Sequence, residues 1–481
     1  MSSSDSNGST IERIGFRMSE IVERWMPSPF VFAILLTYIV FVAGLATGSG
    51  PGELLQYWYD GFWAFLGFSM QMVLILMTGF VIAYHPRVNN LLQRLARVPA
   101  TGAQAAAFVG LVSMSLAWIH WGFSLIMGAI FAREMGKAAH EEGIDAHYPL
   151  LAVGGYMGLG LTWHWGLSAS APLQLTDAAN IGEGTGFGFL ESTVPAAETI
   201  FHPYAISLTL LSIAFATLVL YVLAPSGERA KGITEFVDEE ELFDATGGGA
   251  ADEEAASAAA EAVDEPAETD GDLPSERLNN SRVLGGLIAL SGVLILAYQF
   301  VQSGLGAFTL NAVNFGFLMA GILIYQRPAY YRERFNDAAG AAAGIILLFP
   351  FFAGIQGIMS GAGLATLLAE ALLSVSTAAT YPVIAWVTGA IANLFVPSGG
   401  GEWLVVGPSV LQAAQDLGVP YGQATIAYAV GDAHTNLLNP FWALPLLAIT
   451  GVKAREMFGY AIAMLLALIP FLAIVLYAVP Y

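Results

Sequence analysis

The chain has 481 residues, of which 56% are hydrophobic and 11% charged, and its formal net charge is −21. A mean hydropathy of +0.63 excludes a soluble globular protein, and the length suffices for about ten or more membrane crossings of about 20 residues each. The absence of cysteine excludes disulfides, thiolate metal sites and cysteine nucleophiles. We therefore expect an all-α polytopic membrane protein.

Apolar segments are distributed along the whole chain. They lie near 30–48, 62–84, 101–117, 118–132, 148–173, 200–224, 283–302, 309–326, 339–358, 381–396, 397–412, 423–447 and 457–480. The first is longer than the apolar part of a signal peptide, so we interpret it as the first membrane span. Because several segments are short or interrupted, we expect about 11 to 13 crossings.

The basic residues indicate an orientation in the cell membrane. Lys and Arg cluster at 13–24, 87–97, 133–137, 229–231, 277–282, 327–334 and 453–455. If 118–132 and 397–412 each cross the membrane, every basic cluster lies on one side, which the positive-inside rule assigns to the cytoplasm. The N-terminus would then be cytoplasmic. A re-entrant interpretation of these two segments would break the alternation.

One acidic segment carries most of the net charge. Between Lys231 and Arg277 there are 16 Asp or Glu residues and no Lys or Arg. Such a composition buries too little apolar surface to offset the entropy of ordering, so we expect a disordered cytoplasmic linker. The predicted parts are a cytoplasmic N-terminal segment (1–29), a first transmembrane half (30–224), the acidic linker (225–282) and a second transmembrane half (283–481). The acidic, lysine-poor composition favours a halophilic source.

Two apolar segments are interrupted in corresponding places. One break is Trp118-Ile119-His120-Trp121-Gly122-Phe123 and the other is Pro397-Ser398-Gly399-Gly400-Gly401-Glu402-Trp403. A shift of about 277 residues brings the two breaks and their flanking spans into register, and irregular backbone persists at membrane depth only where protein or a water-filled cavity satisfies it. On the predicted orientation the halves run in opposite directions. We therefore expect two inverted repeats with broken helices or helical hairpins, as in secondary transporters.

The second break carries the strongest binding signal. Glycine permits close backbone approach, and free N–H groups at the start of a half-helix bind anions; the candidate substrate-binding residues are Ser398, Gly399, Gly400 and Gly401. Close packing of small residues is the alternative. A charged Glu402 in this segment would cost roughly 2.5–3.5 kcal/mol, so it requires a partner, a cavity or a proton and is a candidate ion-coupling residue.

The first break supplies His120, Trp121 and Gly122 as further substrate-binding candidates. Imidazole exchanges protons near neutral pH, so His120 is also a candidate for ion coupling. A histidine that is merely hydrogen-bonded within the bundle is the alternative.

A second pair of interruptions follows at 162–168 and 432–439. The substrate-binding candidates there are His164, Ser168, His434, Asn436 and Asn439, which offer donors and acceptors that suit a carboxylate. Each could instead form an interhelical hydrogen bond. Six of the ten tryptophans lie at the breaks, and they could line a pocket for a short apolar tail: Trp118, Trp121, Trp163, Trp165, Trp403 and Trp442.

Patterns of other chemistry are lacking in the sequence. The seven histidines show no metal-ligand spacing, and neither a phosphate-binding glycine-lysine loop nor a nucleophile elbow occurs. We expect no catalytic residue, metal, cofactor or nucleic-acid partner, and hence a membrane transporter rather than an enzyme.

Several short motifs together resemble the short-chain fatty acid transporter family nearly from end to end. They are Arg24-Trp25-Met26-Pro27, Asp60-Gly61-Phe62-Trp63, His120-Trp121-Gly122-Phe123, Phe131-Ala132-Arg133-Glu134, Pro274-Ser275-Glu276-Arg277, Ala353-Gly354-Ile355-Gln356, Pro397 to Gly401, and Asn439-Pro440-Phe441-Trp442-Ala443-Leu444-Pro445. The resemblance implies uptake of short-chain carboxylates such as acetoacetate or butyrate. It places Ser398 to Gly401 and the Trp121-Gly122 break near the substrate.

We therefore predict a secondary active transporter, a symporter for small monocarboxylates that is coupled to H⁺ or Na⁺. The absence of Lys and Arg from the spans favours a monoacid over a dicarboxylate. A carrier of another organic anion, a Na⁺/H⁺ exchanger and a membrane sensor or scaffold remain as alternatives. Membrane lipid is an expected partner, and homo-oligomerisation is left open.

Overall fold

A computed structural model describes residues 29–182, 185–238, 242, 273–395, 398–439 and 442–481. Almost all of them are helical, and no strand occurs within these ranges, which confirms the all-α prediction. The helices are α1 (Pro29–Ala46), α2 (Pro51–Ala64), α3 (Leu66–Ala83), α4 (Pro86–Ala96), α5 (Gly102–Ile119), α6 (Trp121–Glu141), α7 (Tyr148–Met157), α8 (Ser170–Gln174), α9 (Ala178–Ile181), α10 (Pro203–Leu223), α11 (Pro274–Asn279), α12 (Arg282–Ser303), α13 (Leu310–Tyr325), α14 (Pro328–Gly361), α15 (Leu364–Ser374), α16 (Tyr381–Phe395), α17 (Gly399–Leu417), α18 (Tyr421–Thr435), α19 (Leu444–Thr450) and α20 (Ala454–Ala478). The N-terminal residues 1–28, Pro397, Pro440 and most of the acidic linker lie outside the described residues.

By length and composition, six helices of the described chain can cross a membrane. They are Leu66–Ala83, Gly102–Ile119, Pro203–Leu223, Pro274–Ala307, Ala342–Gly361 and Ala454–Ala478, with shorter apolar helices at Ala33–Ala46, Leu310–Tyr325, Leu364–Ser374 and Tyr381–Leu394. Proline opens several helices, including α2, α4, α10 and α14, because its missing N–H would have no intrahelical partner there.

The chain reverses direction at His120. The rings of Phe108 on α5 and Phe131 on α6 lie 5.8 Å apart, whereas a continuous helix would separate the two residues by about 34 Å. At the far ends of the same helices, Arg97 and Glu141 form an ion pair of 2.7 Å. Helices α5 and α6 are therefore a helical hairpin with its tip at His120.

A second reversal follows α16. The hydroxyl of Tyr381 donates a 2.5 Å hydrogen bond to the carbonyl of Val410, 29 residues later, where a continuous helix would place them about 43 Å apart. Helices α16 and α17 form the second hairpin, whose tip includes Ser398. The breaks around His120 and Ser398 are thus hairpin tips.

A broken helix packs beside the first arm of each hairpin. Thr162 donates to the carbonyl of Met114 on α5, and Asn393 on α16 donates to the carbonyl of Asp432. The helix α7 then passes through a π-helical turn (Gly158–Thr162) and a 3₁₀ turn (Trp163–Trp165), and α18 through a 3₁₀ turn (Asn436–Leu438).

The two broken helices approach each other from opposite ends of the molecule. Helix α7 begins where the N–H of Tyr148 donates to the carbonyl of Lys231, whereas α18 begins where a Cβ on Gly422 would collide with the carbonyl of Glu198. They meet where Asn436 donates a 3.0 Å hydrogen bond to the carbonyl of Leu159. Inverted repeats would produce these opposite directions; the repeat itself stays a prediction.

The fourteen Lys and Arg residues in the described ranges lie at or near one end of the molecule, which we call the basic end. Contacts that join it include Arg97 with Glu141, Lys231 with Glu456, and the hydroxyl of Tyr325 with the carbonyl of Val81. Each hairpin starts and finishes at the same end. The basic segments therefore stay on one side of the membrane even if both hairpins are re-entrant. The sequence analysis expected that re-entrant hairpins would break this alternation.

Helix α14 links the two halves of the chain. Gly61 of α2 lies so close to Ala353 and Gly357 of α14 that no Cβ would fit between them. Further along, the rings of Phe68 and Phe349 lie 5.9 Å apart. The two halves of the chain are therefore packed together along α14.

Candidate functional site

A cavity lies between the hairpin tips and the broken helices, and its empty space, including the open mouth, is about 410 Å³. Its wall is mainly aromatic and aliphatic with a few polar groups: Met72, Trp121, Leu159, Trp163, Ser170, Ile345, Phe349, Ser398, Gly399, Gly400, Asn436 and Trp442. Concave, mostly apolar pockets with few polar groups are typical of small-ligand sites.

The two hairpin tips have nearly the same backbone geometry. His120 has φ −157° and ψ 112°, and Ser398 has φ −158° and ψ 97°. Nδ1 of His120 accepts from the N–H of Phe123 at 3.2 Å, and Oγ of Ser398 accepts from the N–H of Gly401 at 3.4 Å. Each tip residue therefore caps the helix that follows it.

The start of α17 forms one side of the cavity. Ser398, Gly399 and Gly400 line the cavity, and the first N–H groups of a helix lack intrahelical partners. A Cβ on Gly399 would lie 2.8 Å from Cε1 of His164 and 2.9 Å from Oδ2 of Asp432. Glycine lets the backbone of α17 approach these side chains closely. The helix dipole favours an anion at this side of the cavity.

Three tryptophans form another part of the wall. The ring of Trp121 lies 5.9 Å from that of Trp163 and 5.8 Å from that of Trp442. Within the described residues, the indole nitrogens of Trp121 and Trp163 have no hydrogen-bond partner. The wall thus presents mainly apolar ring area to the cavity.

His164 connects the cavity with the second half of the chain. Its Nε2 lies 2.8 Å from Oγ of Ser170, which lines the cavity, and accepts from the N–H of Ala171 at 3.3 Å. Its Nδ1 pairs with Oδ2 of Asp432, and its ring stacks on Trp163 at 4.3 Å. Because Nε2 accepts, Nδ1 carries the hydrogen that faces Asp432 in this arrangement.

Glu402 is fully buried on α17. Its carboxyl group lies near the carboxyl group of Asp432 and the hydroxyl of Tyr428, both on α18, and within the described residues neither of its oxygens has a hydrogen-bond partner. Asp432 and Tyr428 are fully buried as well. Two carboxyl groups therefore lie together in the core, next to the start of α17.

Other residues predicted from the sequence lie outside the cavity wall. His120 packs against Phe317 at 4.1 Å and faces Gly79, and Gly122 faces the backbone of Leu76. His434 hydrogen-bonds the carbonyl of Leu465 at 3.0 Å and lies beside Trp386. Gly401 faces Phe352. The structure does not bring these four residues to the wall.

Three predicted polar residues join the breaks to one another. Oγ of Ser168 accepts from the N–H of Trp121 at 2.9 Å, which ties the first tip to the broken α7. Asn436 lines the cavity, and its side chain accepts from Asn393 at 3.0 Å. The carbonyl of Asn439 accepts from Tyr156. These bonds fix the backbone around the cavity.

Sequence reasoning omitted Asp432 and Tyr428 from the candidate site. Asp432 is 30 residues from Glu402 on another helix, so no local pattern pairs them. A usable signal was present, because Asp432, like Glu402, is an acidic residue within an otherwise apolar segment.

Comparison with known proteins assigns the family. A family model described as short chain fatty acid transporter matches residues 10–479. The chain belongs to this family. A relative in Escherichia coli (strain K12) is 37% identical over 95% of this chain and 97% of its own, and one in Haemophilus influenzae is 33% identical over 97% and 99%; both carry the provisional name short-chain fatty acid transporter. Together with the apolar helices, this membership identifies a multi-pass membrane transporter and not an enzyme.

Solved structures share the fold. The Neisseria gonorrhoeae MtrF structure, described as illuminating a class of antimetabolite efflux pumps, matches with a TM-score of 0.56 at 15% identity over 95% of this chain and 97% of that one. The Alcanivorax borkumensis YdaH transporter, described as having an unusual topology, matches with a TM-score of 0.58 at 17% identity over 93% and 98%. At these identities the likeness concerns the fold alone.

Proposed function

We propose that this protein is a secondary active transporter of short-chain monocarboxylates such as butyrate or acetoacetate, driven by a cotransported cation. Its membership of the family supports this substrate class. The observation that carries the proposal is the central cavity, in which tryptophan rings lie next to the start of α17.

The cavity suits the two parts of such an acid. The carboxylate would bind at Ser398, Gly399 and Gly400, where the helix dipole and free N–H groups favour an anion. The aliphatic tail would pack against the rings of Trp121, Trp163 and Trp442. Burying an alkyl chain contributes about 0.8 kcal/mol per CH₂.

Charge favours one carboxylate over two. No Lys or Arg lines the cavity, whereas Asp432 and Glu402 lie directly behind the tip of the second hairpin. A second carboxylate would meet these acidic groups without a compensating cation, so a dicarboxylate should bind more weakly.

The decisive experiment is uptake of radiolabelled butyrate into proteoliposomes, with protein-free liposomes subtracted because the neutral acid crosses lipid unaided. We expect Ser398→Ala and Gly400→Leu to reduce uptake by about tenfold or more, the loss expected when an interaction worth about 1.4 kcal/mol is removed. Gly340→Leu is the matched control, since nothing lies within 4 Å of a Cβ there. Normal uptake by both site variants would reject this site.

Ion exchange is the second candidate function. A Na⁺/H⁺ exchanger requires buried acidic groups that bind a cation, and the pair of Glu402 and Asp432 meets that requirement. Sodium-driven proton movement in vesicles that contain no organic acid would favour the exchanger over the carboxylate carrier.

A further inference from the structure

We propose that the coupling ion is a proton, held by the buried set of Glu402, Asp432 and His164 and exchanged with the cavity through Ser170. The inference rests on the proposed transport function and deepens it, since it names the coupling ion and the groups that hold it. It also moves the coupling role from His120 to His164.

The first step is the charge of the buried pair. Glu402 and Asp432 are both fully buried, and their carboxyl groups interact. Two neighbouring carboxylates that are buried away from water repel one another strongly. The pair therefore requires a proton or a cation. The fourteen Lys and Arg residues of the described ranges lie at or near the basic end, so none of them neutralises the pair.

The ionisable groups that face the pair are few. Glu402 interacts with Asp432 and Tyr428, and Asp432 pairs with His164. His434, on the same helix as Asp432, is directed to the carbonyl of Leu465. The other ionisable groups on helices that pack against α17 lie in the first turns of their helices or, for Glu370, at an exposed position. They are Tyr330, Tyr331, Arg332, Glu333, Arg334, Asp337, Glu370, Tyr381 and Tyr421.

The second step is the identity of the ion. Beside the pair lie the hydroxyl of Tyr428 and the imidazole of His164, and both are groups that can hydrogen-bond to a protonated carboxyl group. Two neighbouring carboxyl groups that are kept out of water can hold one proton between them. The imidazole of His164, which pairs with Asp432, can take up a proton but offers no oxygen ligand to Na⁺, so this environment favours a proton.

The third step is a route to the cavity. Oγ of Ser170 lines the cavity and lies 2.8 Å from Nε2 of His164, whose Nδ1 pairs with Asp432. A proton accepted by Nε2 from the cavity side can leave from Nδ1 to Asp432, and the pair Asp432 and Glu402 then holds it. Imidazole transfers protons in this way because both nitrogens take part.

The fourth step is the link to the substrate. A Cβ on Gly399 would lie 2.9 Å from Oδ2 of Asp432, so a carboxylate at the start of α17 lies next to the acidic pair. A bound anion favours protonation of the pair, and a proton on the pair favours the anion; the two effects are equal by linkage. Loading one proton with one monocarboxylate leaves the net charge of the site unchanged.

The test compares two assays on Glu402→Gln in proteoliposomes. The first is accumulation of labelled butyrate driven by a pH gradient, corrected with protein-free liposomes, and the second is exchange of internal for external butyrate at equal pH. We expect Glu402→Gln to lose gradient-driven accumulation by about tenfold or more while retaining exchange within about twofold. Asp60→Asn, an exposed carboxyl group bonded to Gln56, is the control and should match the wild type in both assays.

Asp432→Asn is an independent variant, and it should likewise lose gradient-driven accumulation while it retains exchange at equal pH. Accumulation by the wild type under a Na⁺ gradient alone, or a full response of both variants to the pH gradient, would overturn this inference while leaving the carrier in place. Failure of the wild type to exchange any monocarboxylate would overturn the proposed function, and this inference with it.

Discussion

At the scale of single residues, Gly399 is the more sterically constrained of the two glycines that line the cavity. A Cβ there would contact Trp163, His164 and Asp432 at less than 3 Å. We expect Gly399→Ala to displace the tip of the second hairpin and to lower butyrate uptake by about tenfold or more, because small misplacements in a binding site are costly.

The control is Gly340→Ala on α14, where a Cβ meets nothing within 4 Å. In a helix interior this change should raise stability by about 0.8–1.0 kcal/mol without changing uptake. Uptake and melting temperature measured for both variants separate the two effects, and equal uptake by the two variants would contradict the steric argument.

The sequence predicted individual polar residues better than their partnerships. Ser398, Gly399 and Gly400 line the cavity, as the glycine-rich break suggested. His120 was chosen for its position in the first break, but its Nδ1 caps the following helix, and a cap is a local role that any hairpin tip requires. Asp432 was omitted because its importance depends on proximity to Glu402, which only the folded chain creates.

At the scale of helices, the hairpins can be tested through the ends of their arms. Arg97 and Glu141, 44 residues apart, form an exposed ion pair. We expect cysteines placed at both positions to be joined by a short bifunctional thiol reagent, because the hairpin brings the start of α5 and the end of α6 together. Since the natural chain has no cysteine, the cross-linked peptides can be assigned by mass spectrometry.

A cysteine pair at Arg97 and Glu198 is the control, because Glu198 lies at the opposite end of the molecule and should not react with the same reagent. Absence of a cross-link in the first pair, with both thiols modified singly, would show that the chain does not reverse at His120.

The sequence located the breaks but not the direction of the chain after them. Apolar composition reports that a segment can lie in the membrane, and it is the same for a helix that continues and for one that turns back. The direction became visible only in contacts between distant residues, such as the rings of Phe108 and Phe131. The opposite directions of the two broken helices are likewise visible only in tertiary contacts.

At the scale of the whole molecule, the distribution of charge sets the expected orientation. The fourteen described Lys and Arg residues lie at or near the basic end, while the connection between α1 and α2 at the opposite end has none. Because cytoplasmic segments are enriched in Lys and Arg, we propose that the basic end faces the cytoplasm.

This orientation predicts which thiols an impermeant reagent can reach in intact cells. A cysteine at Glu53, exposed at the opposite end, should be labelled, whereas a cysteine at Glu142, exposed at the basic end, should be labelled only after the membrane is permeabilised. The wild-type chain, which lacks cysteine, gives the background. The reverse pattern would place the basic end outside the cell, and the proton bound at Glu402 and Asp432 would then have to be released toward the opposite compartment.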